Sequence, residues 1–185
     1  MQKRSFLKAI SSSVLLSSTS TLLHAQTKAI RVGSTLSLTG PLAGTAVMHK
    51  IAGEIFIEQL NKRGGLLGRP VEWIVKDDQS KPDLARTLYE QLISGDNVDL
   101  LMGPYATANS LAAMGVAQRN GKVLITNSFG IPSLAKYDMH FPAYVMGIDP
   151  GTTVPNTLLE AIAASGAKPQ SVAMVTSKFP SVVFL

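Results

Sequence analysis

The chain of 185 residues contains no cysteine. That excludes a disulfide framework, a thiol nucleophile, thiolate metal ligation and a lipid-bearing amino-terminal Cys. Aromatic residues are few, 6% with a single Trp, and charged residues make up 16%. Of 17 Lys and Arg, three (Lys3, Arg4 and Lys8) sit in an amino-terminal leader without acids, which leaves 14 bases against 12 acids in the remainder. Those bases are scattered singly apart from Lys62-Arg63. They form no stripe interleaved with aromatics, so nucleic-acid binding finds little support. Histidine is equally scarce. His24 belongs to the leader, and His49 and His140 lack a partner at ligand spacing, so each reads as a surface or packing residue. No G-x-S-x-G elbow, G-x-x-x-x-G-K-[ST] loop or G-x-G-x-x-G turn occurs. With neither a nucleophile–base pair nor a metal cluster in view, no enzyme, metal or cofactor is expected.

What remains is a globular composition, 45% hydrophobic, behind a leader of recognisable design. Lys3-Arg4-Ser5-Phe6-Leu7-Lys8 is a basic start. Ala9 to Leu23 is apolar but broken by hydroxyls, and Leu23-His24-Ala25 offers a small residue for cleavage before Gln26. This pattern predicts a secretory signal peptide over 1–25, not a membrane span, and places the mature protein in the periplasm.

From Ala29 onward, short apolar runs alternate with helical patterns. Strands are expected at Ala29–Ser34, Val71–Lys76, around Val98 and at Lys122–Thr126. Helices are expected at Ala46–Lys62, after Ser80 and at Ala108–Asn120. Ser80 is placed to cap the second helix, whose buried stripe would be Leu84, Leu88 and Leu92. A further strand is expected at Ala143–Ile148, then a helix at Thr153–Ser165 and a strand at Val172–Thr176. The alternation predicts an α/β fold with a doubly wound parallel sheet. Residues 26–149 are expected to form one lobe, and 150–185 to open a second, incomplete one.

The organising stretch is Val98 to Ser110, a buried-strand pattern stopped by Gly103-Pro104 and followed by small hydroxyl and amide residues. In an open α/β sheet, ligands lie beyond the carboxyl ends of the strands, where the next helix presents free N–H groups. Thr107 and Ser110 could add hydroxyls there. Alternatively, Thr107 only caps the helix and Tyr105 only packs, and the residues leave both readings open. Thr35–Thr45 and Asn127–Gly130 supply similar small polar groups after the first and fourth strands. Such a rim suits recognition of a small polar or anionic molecule better than turnover. Asp77-Asp78, at another strand exit, could bind metal. Adjacent residues of an extended chain point to opposite sides, which favours capping and loop hydrogen bonds instead.

Five motifs then occur in one order: Gly33–Ala43 (GSTLSLTGPLA), Gly64–Pro70 (GGLLGRP), Asp77–Pro82 (DDQSKP), Gly103–Thr107 (GPYAT) and Ala117–Val123 (AQRNGKV). In these the chain resembles the type I periplasmic binding proteins of branched-chain amino acid ABC transporters, the leucine/isoleucine/valine-binding proteins. The resemblance implies two α/β lobes that close on a ligand. It places Thr107 where a hydroxyl holds an α-carboxylate, Ser128 where backbone does so, and Gly130 where a Thr assists the ammonium group. Gly44-Thr45 stands where some members set an aromatic over the ligand. Tyr105 borders the same loop, and Phe129 would offer a different apolar wall. Phe179 and Ser181 lie near the second lobe's strand exit. The implied role is capture of a small amino acid or related carboxylate for a membrane permease. The alternatives are a sensory ligand-binding domain of the same fold and a remnant that binds nothing.

Overall fold

The computed structural model describes residues 28–129, 132–143, 149–173 and 175. The signal sequence, Gly130, Phe179 and Ser181 therefore lie outside the described residues. Five strands and four α-helices alternate: β1 (Ile30–Leu36), α1 (Ala43–Lys62), β2 (Val71–Asp77), α2 (Pro82–Ser94), β3 (Leu100–Met102), α3 (Thr107–Arg119), β4 (Leu124–Thr126), β5 (His140–Pro142) and α4 (Pro150–Ala164). A single 3₁₀ turn, Pro132–Leu134, precedes β5. The sheet order is β2-β1-β3-β4-β5, with every neighbouring pair parallel. The expected α/β doubly wound lobe is the one observed.

The strand order reverses between β1 and β3. Right-handed crossovers then place α1 on one face of the sheet and α2 and α3 on the other. Between the sheet and α2–α3 lies the core: Tyr89, Leu92, Val98, Leu101, Ala113, Met114, Val116, Ala117, Leu124 and Phe129. On the opposite face α1 sits against β2, where Gly53 has no side chain to obstruct the Trp73 ring; a Cβ there would fall 2.2 Å from it. Trp73 in turn donates its indole N–H to Ser34 Oγ at 2.9 Å. Beyond α1 the same face exposes Met102, Ile125 and Phe141, which neighbour one another through the register Met102↔Ile125↔Phe141. Ile51 and Ile55 of α1 are also about half exposed.

Several expectations need correction. The buried stripe of α2 is Ala85, Tyr89 and Leu92, so it includes the Tyr and leaves Leu84 and Leu88 only half-buried. Ser80 does not cap α2. Lys81 is the capping position, and the Ser80 side chain turns to the β1–α1 loop instead. The fifth strand forms at His140–Pro142, upstream of Ala143–Ile148, whose last five residues lie outside the described set. Pro142 is tolerated there because β5 is an edge strand. Asp149 caps α4 by accepting the N–H of Gly151 at 3.1 Å. At Val172–Thr176, residues 172, 173 and 175 are not in a strand, and Val172 and Val175 are exposed. A strand needs a partner for its N–H and C=O groups, and none is paired with this stretch among the described residues.

Residue pairing of β1 with β3 stops at Gly33↔Leu101. Just beyond, the fully buried Tyr89 hydroxyl accepts the N–H of Thr35 at 3.4 Å and donates to the carbonyl of Met102. The phenol takes the place of the next rung and lets the strand ends part. Burial pushes its ionisation well above the ordinary tyrosine range, so it remains a donor. Tyr89→Phe keeps the ring but leaves two backbone groups unpaired. The expected loss is about 1–3 kcal/mol, measurable by urea unfolding; an unchanged midpoint would remove the rung from the account.

His140 carries a pH dependence. Its ring is buried, with Nε2 2.7 Å from Thr126 Oγ1, Nδ1 unpartnered among the described residues, and Phe129 edge-on at 5.3 Å. Burial lowers its pKa. The unfolded ring takes up its proton near the ordinary value of about 6.5, before the folded one does. On acidification the unfolded state therefore binds more protons and stability falls. This contribution is complete above about pH 6.5 and declines below it. His140→Gln should flatten that part of the stability–pH curve measured by urea unfolding; an unchanged slope would assign the acid sensitivity elsewhere.

Candidate functional site

The carboxyl ends of β1, β3 and β4 meet at the point where the strand order reverses, the position at which open α/β sheets bind ligands. Two carboxylates hold this end in shape. Asp78 is fully buried and accepts the hydroxyls of Thr35 and Ser37, each at 2.7 Å, and the N–H of Ser80 at 3.0 Å. Hydrogen bonds to a charged acceptor contribute roughly 1.5–3 kcal/mol each, and burying a carboxylate costs several. The site is therefore favourable only with all its donors in place. Asp77 points the other way, toward Thr39, whose N–H and hydroxyl it accepts at 3.2 and 2.7 Å, and it also takes the N–H of Gln79 at 2.9 Å. Burial opposes its ionisation, but these hydrogen bonds outweigh that and hold its pKa below the usual range. Ser80 completes the lashing by donating to Thr39 O and accepting the N–H of Leu42. Both acids are thus tied into the β1–α1 loop, as the hydrogen-bonding reading of the pair expected.

At the exit of β3, Gly103 allows close approach to β4, since a Cβ there would lie 2.6 Å from the Thr126 side chain. Ala106 then takes φ 78° and ψ 144°, a backbone region in which an L-residue is strained by about 1–3 kcal/mol. The chain turns abruptly into α3, and Thr107 is its first residue. No side chain caps this helix, which corrects the reading of Thr107 as a cap. The N–H groups of Thr107, Ala108 and Asn109 accordingly have no intrahelical acceptor. Thr107 is 4% exposed, and its hydroxyl makes no hydrogen bond among the described residues. Asn109, 1% exposed, has an amide nitrogen without a partner among the described residues. A 13-residue helix thus starts with uncapped backbone donors, a positive dipole end and two buried polar side chains with unused capacity. That combination favours an anion.

The other expected residues divide. Ser128 is half-buried beside this turn, but it donates to the carbonyl of Pro104 at 3.1 Å, as Ser110 does at 3.5 Å. Their hydroxyl protons serve the loop. Toward a ligand they offer lone pairs, while backbone N–H groups remain the donors. Phe129 is not a wall of the rim: it is fully buried in the core against His140. Thr45 is exposed in the first turn of α1. Tyr105 is half-buried, and its ring lies 5.1 Å from that of His49 at 40°.

His49, read in the sequence as a surface or packing residue, also stands at this end of the sheet. Its Nδ1 lies 3.0 Å from the Asn127 amide nitrogen, so α1 reaches over Tyr105 to the exit of β4. The signal was helix geometry: His49 stands four residues after Thr45, hence on the same face of α1. Neither this ring nor His140, which pairs with Thr126, is joined to a carboxylate.

A family model described as periplasmic binding protein matches residues 29–181. The Leu/Ile/Val-binding protein BraC3 of Rhizobium johnstonii is 28% identical over 115 residues, 62% of this chain and 30% of its own length. The chain therefore spans about a third of that relative. The isoleucine complex of the Streptococcus pneumoniae branched-chain amino acid transporter substrate-binding protein LivJ shares the fold, with TM-score 0.66 and 24% identity over 74% of this chain and 39% of its own. A solute-binding protein of an ABC transporter from Rhodopseudomonas palustris, in complex with 3,4-dihydroxybenzoic acid, gives TM-score 0.52 and 27% identity over 62% of this chain and 31% of its own. The chain belongs to the periplasmic binding protein family and is a type I member similar to its Leu/Ile/Val-binding proteins.

Proposed function

We propose that this chain supplies one ligand-binding lobe of an exported solute-binding protein of an ABC importer. The lobe holds a small carboxylate at the start of α3, a second lobe beginning at about residue 150 closes over it, and the closed form delivers it to a membrane permease. The observation that carries this reading is the uncapped first turn of α3, with Thr107 and Asn109 buried and incompletely hydrogen-bonded. Isoleucine and 3,4-dihydroxybenzoic acid, the molecules bound to the two related structures, share a carboxylate. Thr107 would donate its hydroxyl and N–H to it. Ser128 would contribute backbone, and Thr45 and Tyr105 would border the mouth. Gly130, outside the described residues, belongs to the same proposed loop. Closure by a hinge requires no bond chemistry from the protein and no cofactor. The basic, apolar leader over 1–25 supports export to the periplasm with cleavage near Ala25.

In the whole protein, Thr107→Ala should weaken carboxylate binding by about 1–3 kcal/mol, the cost of leaving a buried partner unpaired. Calorimetric titration with isoleucine and with 3,4-dihydroxybenzoate checks this. Unchanged affinity for whichever of them binds would take Thr107 out of the site.

A further inference from the structure

His49, Tyr105 and Asn127 come from three separate elements, α1, the β3–α3 loop and the exit of β4, and converge on the end of the sheet where α3 begins. From this geometry we infer that His49 and Tyr105 form a ring-lined wall of the proposed ligand site, one that selects a carboxylate whose apolar part is a flat aromatic ring. The inference rests on the solute-binding reading above and names the ligand class of that same site.

Two observations support it. First, the two rings are half-buried, 5.1 Å apart and tilted by 40°. Each residue keeps part of its surface exposed, and aromatic pairs at such separations favour tilted or offset contact with a further ring. Second, Asn127 fixes the His49 ring. With the amide nitrogen donating to Nδ1, the proton of the neutral imidazole resides on Nε2, and no bond among the described residues uses that donor. His49 thus offers a ring face and one N–H, both suited to an aromatic acid bearing a polar substituent. An aromatic carboxylate would meet both the uncapped turn of α3 and the two rings, whereas an aliphatic carboxylate would use only the turn.

The test is calorimetric titration of the whole protein with 4-hydroxybenzoate and, separately, isoleucine. Wild type, His49→Ala and His49→Gln are compared, with urea midpoints recorded for each. The expected result is at least tenfold preference for 4-hydroxybenzoate. His49→Ala should weaken that ligand at least tenfold. His49→Gln preserves a polar link to Asn127 and so should keep the wild-type midpoint, yet lose the preference because it lacks a ring. Tighter binding of isoleucine, with wild-type affinity in both variants, would overturn the ring wall and leave solute binding intact. Binding of neither probe would overturn both.

Discussion

Two parallel strands in this sheet do not pair to their ends, and the site depends on that. β1 and β3 stay in register only as far as Gly33 and Leu101, after which the Tyr89 hydroxyl bridges Thr35 and Met102. A continued ladder would bring the two exit loops together and close the crevice. A parting without the phenol would leave buried backbone groups unpaired, which native interiors avoid. Tyr89 reconciles the two requirements. Asp78 then fixes where the parted loop goes, because its carboxylate is tolerable in the interior only while Thr35, Ser37 and Ser80 all donate to it.

On this frame the strained turn at Ala106 acquires a purpose. A φ of 78° in an alanine opposes folding, and the helix it starts lacks a side-chain cap. Both features lower stability when considered alone. Together they present the first-turn N–H groups of α3 and the Thr107 hydroxyl where the order of the described strands reverses. Local stability is given up where function would use it, a distribution common at binding sites.

The order of the first four strands was legible because each is a short apolar run closed by a turn signal, and because apolar alternation distinguishes strands from the helical stretches between them. Less visible were the features set by partners distant in sequence. Hydropathy assigned the α2 stripe to Leu84 and Leu88, but the sheet accepts Ala85 and Tyr89 instead, since the phenol has backbone to bond at the parted strands. Ser80 looked like a cap because the spacing to Asp83 fits one, yet its hydroxyl is drawn to Thr39 and Leu42 across the loop. β5 was disguised by Pro142 and by a histidine whose burial depends on Thr126 and Phe129. Of the site, Thr107 stood out through its motif. Phe129 looked available because an aromatic in an exit loop carries no mark of which way it turns, and His49 looked idle because Asn127 lies 78 residues away.

The face proposed to meet the ligand is the carboxyl end of β1, β3 and β4, at the start of α3. Backbone amide NMR of the whole protein, titrated with isoleucine or 4-hydroxybenzoate, addresses it most directly. The largest shifts are expected on the amides of Thr107, Ala108, Asn109 and Ser128. Shifts confined to the outer surfaces of α2 and α3, with those four amides unmoved, would contradict it.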